Sequence, residues 1–194
     1  MRALFLDRDG VINRQLAGYV TTWQEFEVLP GVLAAMQMLA RFDGPILVLT
    51  NQSAIARRLV TQAGVDEIHR KLLALVTAHG GRIDGFYVCP HHPNDGCACR
   101  KPKPGLLLQA AEEHALHLAE CIFVGDAFTD YLAARAVGCA SILVKTGRAG
   151  RELPGLLTTF CAQTGVDLAE EDVLIAPDLT AAAEALQCRG LLTR

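Results

Sequence analysis

The first apolar run of the chain, Ala3-Leu4-Phe5-Leu6, ends in two carboxylates one residue apart, Asp7 and Asp9, followed by Gly10. In an extended backbone Asp7 and Asp9 project to the same side. Adjacent acids repel unless a cation or a shared task holds them together, and the carboxyl end of a strand is where open α/β sheets place their ligands. An isolated Asp-x-Asp-Gly says little, because turns use both residue types for their own reasons. Here three further polar groups follow apolar runs or loops in order: Thr50-Asn51-Gln52-Ser53, Arg100-Lys101-Pro102, and Gly125-Asp126 with Asp130 one helical turn on. In a parallel sheet such ends converge on one rim, so residues far apart in sequence can share a pocket. Asp126-x-x-x-Asp130 alone would be read as a helix cap after a strand.

A second cluster fills residues 89–99. Cys89-Pro-His91-His92-Pro-Asn-Asp-Gly-Cys97-Ala-Cys99 offers three thiols and a histidine, a closed Cys₃His set suited to tetrahedral structural zinc. Either His91 or His92 can complete the set. A metal-free cluster of exposed thiols would be an oxidation liability. The remaining four of seven cysteines, Cys121, Cys139, Cys161 and Cys188, are scattered and read as reduced packing residues. The zinc loop runs straight into Arg100-Lys101, so a bound ion would fix both cations.

The elements that must position these groups alternate. Leu4–Leu6, Pro45–Thr50, Phe86–Cys89, Cys121–Gly125 and Ala140–Val144 read as buried strands, with a sixth over Val173–Ala176. Between them lie amphipathic stretches: Val32, Met36, Leu39 and Phe42 after Pro30-Gly31; Val65, Ile68, Leu72, Val76 and His79 after the N-cap Thr61; Pro104 to Leu116; Asp130 to Val137; and Leu179 to Leu186. Short apolar strands alternating with helices predict an α/β fold: a Rossmann-like, doubly wound, mainly parallel sheet with helices on both faces. Residues 1–194 read as a single domain, with 148–172 as a surface insertion. Only roughly forty residues separate Asp9 from Thr50, too few for a large cap domain. The pocket is expected to be open, walled by Gln15–Tyr19, Gln52–Arg57 and the zinc loop.

Asp7-Arg-Asp9-Gly10, Thr50-Asn51, Lys101 and Gly125-Asp126-x-x-x-Asp130 resemble the four ordered motifs of the haloacid dehalogenase superfamily phosphatases. That resemblance covers residues 1 to 147 and implies Mg²⁺-dependent phosphate transfer through an aspartyl-phosphate. It implies Asp7 as nucleophile, Asp9 as general acid and base, and Asp130 as support for the metal shell. The physics agrees. A carboxylate 4 Å from a phosphoryl dianion is repelled by about 8 kcal/mol at an effective dielectric of ~20. Mg²⁺ held by Asp7, the Asp9 backbone carbonyl and Asp126 would cancel that repulsion. Lys101 adds fixed positive charge, and the Thr50 hydroxyl can hold a phosphoryl oxygen.

The zinc loop narrows the resemblance to the zinc-containing branch that holds heptose bisphosphate and histidinol-phosphate phosphatases, in which His91 is the better match as ligand. Gly18-Tyr19-Val20, Thr50-Asn-Gln-Ser53-x-Ile-Ala-Arg57 and Arg100-Lys-Pro-x-Pro-Gly105 are similar to the heptose side. Ala54 and Arg58 stand where glycines are usual, and Ala127 where some heptose enzymes carry lysine. Gln15, Gly18, Tyr19, Asn51, Gln52, Ser53, Arg57, Arg100 and Lys101 are thereby expected to contact a small phosphorylated sugar.

The bulk properties narrow the alternatives. A net charge of −3 gives no reason to expect nucleic acid or an anionic membrane as partner. No apolar run approaches the ~18 residues that a membrane span needs. The acidic residue at position 7 comes too soon for a signal peptide, so a cytoplasmic monomer is expected. A non-catalytic zinc module that binds nucleic acid would carry basic stripes and aromatics, whereas this chain is slightly acidic.

Overall fold

The computed structural model describes residues 1–148 and 174–192. Cys161 and nearly all of the expected insertion 148–172 lie outside the described residues. Six strands form one parallel sheet: β1 (Leu4–Leu6), β2 (Ile46–Asn51), β3 (Gly85–Cys89), β4 (Ile122–Gly125), β5 (Ala140–Val144) and β6 (Leu174–Ala176). Their order is β3-β2-β1-β4-β5-β6. Leu4 pairs with Ile46 on one side and Ile122 on the other, so β1 sits at the point where strand order reverses. That crevice is where open α/β sheets bind ligands, and Asp7 is the first residue beyond it.

Alternate residues of each strand feed opposite faces. Leu4, Leu6, Ile46, Val48 and Val124 join a core completed by α1 (Val32–Leu39), α2 (Gln62–Ala78) and a C-terminal helix, α5 (Leu179–Cys188). Phe5, Leu47, Leu49 and Phe123 face the other way, onto α3 (Gly105–His114) and α4 (Phe128–Arg135). The sheet is covered on both faces, as the continuous apolar strands require.

Helix boundaries follow local chemistry. The Thr61 hydroxyl accepts from Gly64 N at 3.1 Å and caps α2. Asp178 caps α5 through Ala181 N at 2.9 Å. Two expectations about helix faces fail. Phe42 is buried, but α1 ends at Leu39 and the ring packs from the following turn. His79 is exposed, its Nδ1 2.8 Å from Leu75 O beyond the end of α2; the buried histidine of that helix is His69. Between β1 and α1 the chain forms a loop with a 3₁₀ turn at Trp23–Glu25 and no cap domain. Glu25 Oε2 accepts from the backbone nitrogens of Thr21 and Thr22, which fixes that turn.

Candidate active site

The carboxyl ends of β1, β2 and β4 bring the expected groups together. Asp7, Asp126 and Asp130 each place a carboxylate oxygen within 4.8 Å of the others, all buried. The Lys101 ammonium enters this cluster, 3.0 Å from Asp7 Oδ1 and 2.7 Å from Asp130 Oδ1, and donates to Leu49 O at 3.0 Å. Asp130 Oδ2 accepts from the backbone nitrogens of Asp126 (3.1 Å) and Ala127 (3.0 Å). It therefore caps α4 and braces Asp126 in one arrangement.

Close packing of glycines makes the cluster compact. Gly10 has φ +88°, and a Cβ there would lie 2.3 Å from Asp126 Oδ2; one on Gly147 would lie 2.0 Å away. Bare backbone from two loops thus clamps this carboxylate, and Arg148 N donates to Asp126 Oδ2 at 2.9 Å.

The electrostatics suit a cation in addition to the lysine. Burial lifts Asp7 to about 6, with Lys101 opposing and Asp130 and Asp9 adding repulsion. Burial, Asp130 and Asp7 lift Asp126 to about 9 against the Arg148 amide and Lys101. Burial alone would lower Lys101, but Asp130 and Asp7 overcome it and hold the ammonium above the usual lysine range. Three crowded carboxylates facing one ammonium fit a hard divalent cation with oxygen ligands.

Asp9 has a different environment. Arg8 Nη2 reaches both its oxygens, at 3.0 and 2.9 Å. Asn13 Nδ2 donates to Oδ1 at 2.9 Å and Gln52 Nε2 to Oδ2 at 2.7 Å. Burial would raise this carboxyl, yet Arg8 and the hydrogen bonds from Asn13, Arg8 and Gln52 keep it below the ordinary range. Two acids one residue apart are thereby pushed to opposite sides of the normal value.

One cavity takes in Asp7, Asp9, Gln15, Gly18, Tyr19, Thr50, Asn51, Gln52, Ser53, Arg100, Lys101, Asp126 and Asp130. Arg57, expected with them, is exposed and outside the lining, its guanidinium 5.9 Å from the Tyr19 ring centre. Asn51 uses its amide on the Lys101 backbone, both contacts at 3.2 Å, so it positions the lysine as well as lining the cavity. Thr50 Oγ1 accepts from Gln52 Nε2 at 2.8 Å, which leaves its proton for another acceptor. Arg100 Nη1 and Gln15 Oε1 are buried without hydrogen-bond partners among the described residues. A donor and an acceptor in that state expect a ligand. Arg8, Asn13, His69 and Arg148 belong to the site or its support and were not expected. Arg148 follows the end of β5, a position the strand pattern could have flagged; nothing in the sequence marks His69.

The cysteine loop brings together four ligand atoms at spacings that fit a tetrahedral ion. Cys89–Cys97 and Cys99–Cys97 Sγ distances are 3.7 and 3.6 Å; His91 Nδ1 lies 3.7 Å from Cys89 and 3.2 Å from Cys99. Tetrahedral edges built from ~2.3 Å Zn–S bonds are about 3.8 Å. Burial, with Cys89 and Cys97 alongside, pushes the Cys99 thiol up to about 12. Burial raises Cys89 as well, whereas at Cys97 it is outweighed by hydrogen bonds from the Arg100 amide and the neighbouring thiols, which hold that thiol below its usual value. His92 instead accepts from Asn94 N at 3.2 Å, which leaves His91 as the fourth ligand atom. Lys103 Nζ donates to Gly96 O at 2.7 Å, fastening the loop to the segment bearing Lys101.

A Rossmann-like parallel sheet with this rim defines a class: a phosphoryl-handling hydrolase built on a doubly wound sheet, its carboxylates and ammonium gathered at the strand ends. Comparison with known proteins narrows it, for a model described as haloacid dehalogenase-like hydrolase matches residues 1–138, a second HAD-hydrolase-like model matches residues 98–182, and the chain belongs to this family. A D-glycero-beta-D-manno-heptose-1,7-bisphosphate 7-phosphatase of Pseudomonas putida is 41% identical, with 96% of this chain and 99% of that protein covered. The corresponding alpha-heptose enzyme of Mycobacterium bovis is 43% identical over 76% of this chain and 81% of its own. The D,D-heptose 1,7-bisphosphate phosphatase of B. bronchiseptica, solved with magnesium and phosphate, superposes with a TM-score of 0.85 at 38% identity, covering 97% and 99% of the two chains.

Proposed function

We propose that this chain is a Mg²⁺-dependent phosphatase that removes the 7-phosphate of D-glycero-D-manno-heptose 1,7-bisphosphate, in the formation of nucleotide-activated heptose. The observation that carries the reading is the Lys101 ammonium seated between Asp7 and Asp130, beside Asp126, at the sheet's reversal point. Asp7, Asp126 and the Asp9 backbone carbonyl would hold Mg²⁺, with Asp130 bracing them. The ion would neutralise phosphoryl charge and orient the transferring group.

Asp7 uses Oδ1 for Lys101 and the Arg8 amide (2.7 Å), which leaves Oδ2 for attack on phosphorus. As that bond forms, the bond from phosphorus to the sugar oxygen breaks, and Asp9 gives this oxygen its proton. A phosphoryl dianion brought beside Asp9 raises its otherwise low pKa, which prepares it to carry the proton. Water then attacks the phosphorus of the aspartyl-phosphate while Asp9 takes a proton from it. Phosphate leaves and Asp7 is restored. Lys101 and Thr50 hold phosphoryl oxygens throughout.

Arg100 and Gln15, each with an unpartnered buried atom, would bind the distal phosphate and sugar hydroxyls, with Gly18, Tyr19, Asn51, Gln52 and Ser53 completing the wall. Cys89, His91, Cys97 and Cys99 would hold a structural Zn²⁺. We further read residues 1–194 as one domain, active as a cytoplasmic monomer with no nucleic-acid or membrane partner; no helix among the described residues is long and apolar enough to cross a membrane. The relatives matched end to end carry the beta name, which favours that anomer.

The test is phosphate release with Mg²⁺ across both heptose 1,7-bisphosphate anomers, histidinol phosphate and fructose bisphosphate. The beta heptose anomer should have the highest kcat/KM. Faster turnover of histidinol phosphate would overturn the substrate assignment.

A further inference from the structure

Arg8 is the largest fully buried side chain among the described residues, at 0% exposure. Burying a guanidinium costs several kcal/mol unless it is paired, and an apolar residue of similar volume is commonly as stable or more so. Packing alone therefore does not account for it. One end of the fork grips both oxygens of Asp9. At the other end, Nη1 lies 3.3 Å from His69 Nε2, and the guanidinium carbon sits 5.7 Å from the centre of the Phe26 ring.

A guanidinium has donors only, so His69 Nε2 must accept and the ring must be neutral with its proton on Nδ1. The environment agrees: burial, reinforced by the Arg8 charge, lowers His69 to about 3, with Asp9 opposing. The imidazole is itself fixed, stacked on Phe86 of β3 with ring centres 4.3 Å apart and planes 8° apart. A carboxylate at this position would share the guanidinium charge between two anions. A neutral acceptor instead fixes the fork while leaving its charge directed at Asp9.

We propose that His69 and Arg8 are positioning residues for Asp9: the α2 imidazole locks the guanidinium plane, and the guanidinium aims the Asp9 carboxylate that moves the proton in both half-reactions. His69 touches neither substrate nor metal and acts only through Arg8. The proposal rests on Asp9 being the acid and base of the proposed reaction.

The experiment uses the full-length protein with Mg²⁺ and whichever phosphate ester the wild type hydrolyses fastest. His69→Phe keeps a ring against Phe86 and removes only the acceptor. It should lower kcat between about 10- and 100-fold, a part of what acid–base catalysis contributes, with KM within about twofold of wild type. His69→Gln, which returns an acceptor oxygen near the Nε2 position, should recover most of that loss. Asp7→Asn serves as the control for the underlying reading. Turnover that survives it refutes the nucleophile, whereas a dead Asp7→Asn beside a His69→Phe of wild-type rate refutes only the positioning role. Equal loss in the Phe and Gln variants, or a rise in KM with kcat unchanged, would also overturn it. Should the Phe variant fail to fold, His69→Met removes the same acceptor at comparable volume and is read by the same criteria.

Discussion

Replacing Lys101 by methionine removes a single ammonium from between two buried carboxylates. Its side chain is 3% exposed, 3.0 Å from Asp7 and 2.7 Å from Asp130. At an effective dielectric of ~20 each contact has a gross attraction of about 6 kcal/mol. Desolvation of the ammonium offsets much of this, so the net loss is that of breaking a buried pair, about 3–5 kcal/mol. For a chain of this size that lowers Tm by roughly 6–20 °C. The loss must depend on pH. Without the lysine, Asp7 loses the cation that opposed burial and the repulsion of its neighbours, so it holds its proton to higher pH. At pH 5, below its value of about 6, Asp7 is already largely neutral and the missing cation matters less; at pH 8 the lysine faces an ionised Asp7 in the wild type and its loss matters most. Thermal unfolding in EDTA should therefore separate variant from wild type widely at pH 8 and narrowly at pH 5. With Mg²⁺ added, phosphate release should stay depressed by ~10²-fold or more, because a charge on the transferring group is gone. An equal Tm at both pH values, or near-normal turnover, would refute this account of the lysine.

Metal and pH should be linked through the same cluster. Asp7 and Asp126 are raised to about 6 and about 9 from an ordinary 3.8. The folded protein then binds more protons than the unfolded chain, so metal-free stability falls as pH rises toward 9. His69 acts oppositely, adding stability from about pH 3 to its unfolded value near 6.5. The clean window is pH 7–9, where Tm in EDTA should fall with pH and the Tm gain from Mg²⁺ should grow. A Tm in EDTA that climbs across that window contradicts the assignment. At the zinc loop, Cys97→Ser should lose bound zinc by metal analysis, lower Tm and cut kcat, with excess Mg²⁺ restoring none of it, since the loop carries Arg100 and Lys101. Unchanged zinc content or unchanged kcat would remove the loop from the account.

The parallel sheet and its rim were legible because each signal is local. Leu4–Leu6 with Asp7, Ile46–Thr50 and Ile122–Gly125 with Asp126 carry strand, terminus and functional group in one short segment. The Cys89, His91, Cys97 and Cys99 cluster was legible for the same reason, and the 3₁₀ turn at Pro93–Asp95 that occupies His92 agrees with the preference for His91. Arg57 differs from the other expected wall residues: it is exposed and lies outside the cavity lining, its guanidinium over the ring of Tyr19, which does line it. The unusual Arg58 now has a physical setting: it sits at φ +58°, a left-handed conformation that favours glycine. Ala127 lines the cavity and leaves uncharged a position that faces the substrate space. His69 was invisible because 61 residues separate it from Arg8, and only the tertiary fold, with the ring stacked on Phe86 of β3, brings them together.

The central claim is that Asp7 carries the phosphoryl group. Borohydride added to enzyme turning over its substrate reduces an aspartyl-phosphate to homoserine, which peptide mass spectrometry locates. The structure predicts homoserine at position 7, present only with Mg²⁺ and substrate together. Homoserine at position 9, or unmodified Asp7 under conditions of full turnover, would contradict it.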